Sequence, residues 1–276
     1  MRQVFLQPMV CSLAALSGTM LTAGAAPIMP LVAHQAVYDL ALVPGSNPQT
    51  PSSGRGRIVY HFSGSSCEGY ESSFRQMTLI KPERAAPRLS DVVSKTFEDG
   101  AGKNFRFKVH STINDKADQD IDGKASLDAA GHVEVDLHRP KPTQFSLSPD
   151  VLFPTSHIQH IIAAALKGEK TLTEQVYDGS EPGRKTFDTL TVIGKSKVGA
   201  SANKVAQIAD MASVPRWPVT ISYFKHQSHQ DTPDYILSFD LYQNGISRHL
   251  KLDYGTFVLK GTLVDLKLLP KAAPCP

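Results

Sequence analysis

Phe105-Arg106-Phe107-Lys108-Val109-His110 alternates apolar and basic side chains without a break. In an extended chain successive side chains point to opposite faces. Phe105, Phe107 and Val109 therefore share one face, and Arg106, Lys108 and His110 the other. This describes a strand with one buried and one wet side. The period recurs outward along the chain. Val133, Val135 and Leu137 alternate with His132, Glu134, Asp136 and His138, and Tyr235, Leu237, Phe239 and Leu241 share one face of a later run. Strands wet on one side favour antiparallel pairing, because parallel sheets bury both faces.

Turn signals punctuate these runs at Asp99-Gly100, Asp122-Gly123, Ala130-Gly131, Asn244-Gly245 and Tyr254-Gly255. Asp-Gly and Asn-Gly supply the positive φ that tight hairpins require. The order strand, turn, strand, turn predicts a meander. Near the end the parity changes. Phe257 and Leu259 hold one phase, Val264, Leu266 and Leu268 the other, which predicts a bulge or sharp bend at Gly261.

One segment has a helical period instead. Ile158, Ile161, Ile162 and Ala165 recur at helical spacing over His157 to Lys167. Thr155 or Ser156 can cap its start, and Gly168 can take the left-handed closing position. Half-apolar strands and one amphipathic helix bury their faces together most simply in a strongly bent sheet. The expected fold is mainly β: a bent antiparallel meander forming an open barrel or β-spiral, with the helix against its open side or mouth.

Across 276 residues the chain is 41% hydrophobic and 20% charged, an ordinary globular composition. Its net charge of +3 is gathered in no Lys/Arg block, which argues against nucleic acid as a partner. Arg2, an uncharged and mostly apolar stretch over 4–22, and Ala23-Gly24-Ala25 read as a secretory signal peptide spanning 1–25. Pro8, Ser12, Ser17, Gly18 and Thr19 make a poor spanning helix, so the chain is not expected to span a membrane once the signal is removed. Residues 26–276 then form a single all-β domain. Cys11 leaves with the signal, and Cys67 and Cys275 remain as a disulfide candidate, the alternatives being free thiols or an intermolecular bond.

Catalytic patterns are weak. G-x-S-x-G is absent. Ser201-Ala202-Asn203-Lys204 matches S-x-x-K but lacks an S-D-N partner, and Lys260-Gly261-Thr262 has the K-T-G letters out of order. His157/His160 and His226/His229 lack further ligands at metal spacing, and a wet helix face or polar contacts near the first turn are the simpler roles for the first pair. Asp115, Asp118, Asp120 and Asp122 fail the spacing of a calcium loop and suit a solvated hairpin tip. Trp217 suits the core. No catalytic residue, metal or cofactor is assigned. A bent sheet that does not close tightly can hold an apolar ligand on its concave face. The candidate lining is Ile158, Ile161, Ile162 and Ala165 with Phe105, Phe107 and Phe239.

Several strings are distinctive: Val32–Leu40 (VAHQAVYDL), Gly56–Tyr60 (GRIVY), Val151–Thr155 (VLFPT), Val176–Ser180 (VYDGS), Trp217–Phe224 (WPVTISYF) and Asn244–Arg248 (NGISR). Through them the mature chain resembles the cell-envelope integrity protein B (EipB) family of alphaproteobacteria. The resemblance implies a periplasmic protein with a spiral of antiparallel strands, an open apolar cup, and a disulfide joining Cys67 to Cys275. It implies a role in envelope integrity and in resistance to envelope stress, and it brings no catalytic residues. The expected ligand is a lipid, lipoprotein or peptide in the cavity. The rival readings are a scaffold that docks another periplasmic protein by its outer face, and a cell-wall hydrolase using Ser201 and Lys204.

Overall fold

A computed structural model describes residues 30–45, 51–180, 186–199, 211–227 and 231–270. The elements are β1 (His34–Leu42), β2 (Ser53–Ser65), β3 (Gly69–Lys81), β4 (Arg88–Glu98), β5 (Asn104–Ile113), β6 (Lys116–Leu127), β7 (His132–Arg139), β8 (Thr143–Pro149), β9 (Val151–Leu152), α1 (Pro154–Lys167), β10 (Thr171–Tyr177), β11 (Thr186–Ile193), β12 (Arg216–Lys225), β13 (Tyr235–Tyr242), β14 (Ser247–Asp253) and β15 (Val258–Leu268).

These strands form one 15-stranded sheet in the order β8-β7-β6-β5-β4-β3-β2-β1-β15-β14-β13-β12-β11-β10-β9. Strand β1 pairs with β2 on one side and β15 on the other, so the first and last strands meet at the centre. The short β9 pairs in parallel with β10, and the other neighbours are antiparallel. The outermost strands, β8 and β9, are joined by Asp150 alone, at φ 69. Two edges one residue apart in the chain force the sheet to curl until they meet. The result is a nearly closed barrel with a single seam, as the alternating pattern led us to expect.

Alternation places the core. Phe105, Phe107 and Val109 on β5 are buried while Arg106, Lys108 and His110 are exposed. Their face joins Val133, Val135, Leu137, Phe153 and Tyr177 in one apolar cluster. Phe105 stacks on Phe153 at 4.9 Å, and Phe107 meets Tyr177 edge-on at 5.6 Å. A larger cluster gathers the inner faces of β1, β2 and β12 to β15 around Ile161, Ile162, Ala164 and Ala165 of α1. Trp217 belongs to it, as expected of a core tryptophan.

Four local expectations are corrected. The helix starts at Pro154, with Phe153 at the N-cap, so neither Thr155 nor Ser156 caps it. Its close is as expected, with Gly168 left-handed at φ 79. Asp122-Gly123 is no turn but lies inside β6, where a Cβ on Gly123 would stand 2.6 Å from the Phe107 ring. The glycine makes room for an aromatic ring, and the hairpin turns instead at Asn114 and Asp115, both at positive φ. Asp118, Asp120 and Asp122 therefore belong to a strand rather than a hairpin tip. Finally, the phase slip falls at Val264, because Val37 pairs with Asp265 and Tyr38 with Leu263. Gly261 stays in register, and its missing side chain admits Leu250.

Candidate functional site

The sheet does not fill its own interior. Among the inward-facing residues of β3 and β4 are the small polar Ser72, Ser94 and Thr96, all only partly buried. Pairing puts Ser94 and Thr96 on the same face as Val109 and Phe107 of β5. Ser72 and Thr96 lack the bulk to fill the space beside the larger apolar cluster, and a cavity of about 330 Å³ remains there. That lies at the lower end of small-molecule sites.

Each wall comes from a strand read at period two. Strand β1 contributes His34 and Tyr38, β2 Ile58, Tyr60 and Phe62, and β3 Ser72 and Phe74, with Thr96 from β4. Leu237, Ser247, Leu250 and Leu252, then Leu31, Asn244 and Gly245, and Pro154, Thr155 and Ile158 of α1 complete the lining. Among the described residues lining it there is no Asp, Glu, Lys or Arg.

Several of its polar groups are engaged inside the protein. The Tyr38 hydroxyl donates to the Ser247 carbonyl at 2.7 Å. His34 Nδ1 lies 2.7 Å from the Val32 carbonyl, which can only accept, so Nδ1 carries the proton. Burial holds the imidazole below its usual pKa and therefore neutral. Ser72 and Thr96 bond to each other at 2.8 Å, and Asn244 spends its amide on Met211 and on the Ile246 backbone. Burial pushes the Tyr38 and Tyr60 hydroxyls above their ordinary range, so both stay protonated.

Behind the cavity the start of α1 is held by Glu98 at the end of β4. This buried carboxylate accepts the Thr155 amide at 2.8 Å, the Ser156 amide at 2.9 Å and the Ser156 hydroxyl. It supplies across the sheet the cap that Phe153 cannot. Burial raises its pKa, while the Ser156 and Thr155 hydrogen bonds oppose that shift. Farther along α1, His160 Nδ1 meets Glu174 Oε1 at 2.7 Å, which raises the His160 pKa. His157 is buried rather than wet. Desolvation, with His160 nearby, lowers its pKa to about 4. Its Nε2 lies 3.8 Å from Glu174 Oε2, and neither atom has a hydrogen-bond partner.

Of the residues expected to line a cavity, Ile158 does so. Ile161, Ile162, Ala165 and Phe239 pack in the larger core, and Phe105 and Phe107 in the smaller. The hydroxyl and imidazole groups were missed, although serine and threonine on alternate inner positions of β4 were a readable sign of space. His226 pairs with Asp188 at 2.9 Å, while His229, Ser201 and Lys204 lie outside the described residues. Among the described residues no cluster of three or more His, Cys, Asp or Glu could hold a metal. Cys67 sits in the turn between β2 and β3. One cleft brings Glu68 and Gly69 of that turn together with Leu269 and Pro270, while Cys275 lies outside the described residues.

Fold and cavity together define a class: a barrel-like, almost wholly antiparallel meander wrapped around one helix, with a hollow beside its larger core. Comparison with known proteins narrows it. The chain belongs to the EipB-like family, whose sequence profile matches residues 25–270. It is 36% identical over 247 residues to the cell envelope integrity protein EipB of Brucella abortus (strain 2308), covering 89% of this chain and 87% of that protein. A crystal structure of a β-barrel-like protein of a domain of unknown function from Brucella abortus superposes with a TM-score of 0.80 at 34% identity. That match covers 88% of this chain and all of the other. No helix among the described residues is long and apolar enough to cross a membrane.

Proposed function

We propose that this is a non-catalytic periplasmic protein that supports cell-envelope integrity by holding a lipid, a lipoprotein chain or an apolar peptide in its cup. One observation carries the reading: a hollow of about 330 Å³ walled mainly by apolar and aromatic side chains, in a relative of a cell envelope integrity protein. An unfilled apolar hollow forfeits packing contacts that a ligand restores. Export by the N-terminal signal puts the chain where such ligands occur. Native mass spectrometry and lipid extraction of protein purified from periplasm test this. The expected result is a co-purifying apolar molecule, and a consistently bare chain with a collapsed interior contradicts the holding role.

A disulfide between Cys67 and Cys275 belongs to the same reading. The described chain ends at Pro270, beside the Cys67 turn, and the five remaining steps can reach roughly 17 Å.

A scaffold role has one specific observation in its favour. The outer face carries a groove of about 530 Å³ lined by Lys95, Arg106, Lys108 and Lys124, with the Arg106 guanidinium 4.3 Å from the Phe97 ring centre. Pull-down from crosslinked periplasm separates the two roles, because a docked partner survives changes inside the cavity and a held ligand does not.

A further inference from the structure

The cavity wall has a chemical bias beyond being apolar. Two of its hydrogen-bond donors are committed inside the protein: the Tyr38 hydroxyl to the Ser247 carbonyl, and the His34 Nδ1 proton to the Val32 carbonyl. Asn244 gives an amide proton to the Met211 sulfur, and Ser72 and Thr96 hold each other. His34 and Tyr38 keep acceptor capacity. A neutral imidazole whose Nδ1 carries the proton has a bare lone pair at Nε2, and a donating phenol retains its own lone pairs. No positive side chain stands among the described lining residues. Glu98, whose carboxylate binds the Thr155 amide, is consumed as the cap of α1 and faces the helix start.

We propose that this cavity takes an uncharged amphiphile, an acyl chain whose head carries a hydroxyl or amide donor, and rejects a chain with an ionised head. The proposal rests on reading the hollow as a ligand site. An alcohol or amide N–H brings the donor that His34 Nε2 and the Tyr38 oxygen lack. A carboxylate or phosphate brings only acceptors, which the His34 Nε2 and Tyr38 lone pairs do not meet, to a wall with no cation to pair with. An anionic head must then be stripped of water without compensation, or stay outside and withdraw methylenes from the hollow. Both weaken binding.

The test uses the purified mature protein with N-phenyl-1-naphthylamine, an uncharged dye that fluoresces in apolar surroundings. Three chains of equal length displace it in turn at about pH 8.5, where a free carboxyl is ionised: 1-monolauroylglycerol, methyl laurate and laurate. The monoglyceride should act at a concentration at least about tenfold below laurate and severalfold below the methyl ester. His34→Phe should erase its advantage over the methyl ester and leave the ester unchanged. The ligand series needs only the unaltered chain, so it stands whatever the variant does. Laurate binding as well as the monoglyceride overturns the charge rule, and an ester equal to the monoglyceride overturns the donor rule. If neither dye nor any of the three chains binds, the ligand-site reading itself falls.

Discussion

Glu98 and His157 show how single side chains tie the helix into the sheet. Removing the Glu98 carboxylate leaves two part-buried amides and a hydroxyl at the helix start without an acceptor. Glu98→Ala should destabilise the chain by about 2–3 kcal/mol in urea unfolding, and Glu98→Gln, which keeps an acceptor oxygen, by less. His157 contributes in the opposite chemical sense. Its folded pKa of about 4 lies below the ordinary 6.5, so the unfolded chain binds the extra proton. The stability from keeping it neutral is present above 6.5 and lost as the pH falls toward 4. That amounts to about 2 kcal/mol between roughly pH 7 and 5. His160 works the other way, since its raised pKa favours the fold below 6.5 and fades as the pH rises through the folded value. His157→Leu should flatten the acid limb of a plot of unfolding free energy against pH, and an unchanged limb would assign the loss elsewhere. Neither role was legible in the sequence. Helical spacing marks the Ile158 stripe, but it cannot reveal that the helix lies within the curl, where His157 is buried too.

At the scale of elements, period-two alternation carried nearly everything. Phe105 to His110, Val133 to His138 and Tyr235 to Leu241 are strands with the faces they were assigned. The failures share one physical cause, since glycine has more than one use. A glycine read as a turn at Gly123 and as a bend at Gly261 serves in both places as a gap for a neighbouring side chain. Gly179, within the distinctive string Val176–Ser180, combines both uses. It sits at φ 72, and an added Cβ would stand 2.3 Å from the Phe107 ring. Gly179→Ala should therefore cost about 3 kcal/mol, lowering the melting temperature by roughly 6–12 °C. Gly255 has a similar φ of 77 with open space around it, and its alanine variant should lose less. Equal losses would show that strain rather than the ring contact dominates.

For the whole molecule, closure is the organising fact. Strands β8 and β9 are sheet edges separated by Asp150, while β1 and β15 meet at the centre. A meander and a curl could be inferred from half-apolar strands and a lone helix. The strand order could not, because alternation does not say which strands are neighbours across long separations. That a curled sheet can leave a hollow follows from its bend, but the small polar part of the wall depends on β3 and β4 standing beside the larger core. If Cys67 and Cys275 join the Cys67 turn to the chain end, Cys67→Ser or Cys275→Ser should remove about 2–4 kcal/mol. Scanning calorimetry should then show melting several degrees lower with the room-temperature fold intact, and an unaltered melting curve would argue against the bond. The hollow itself is tested most directly by pressurising crystals of the protein with xenon, which enters dry apolar cavities. A xenon peak is expected inside the curl, enclosed by Ile158, Phe74 and Leu250. An interior with side chains closed over that space, or one holding only ordered water, would contradict it.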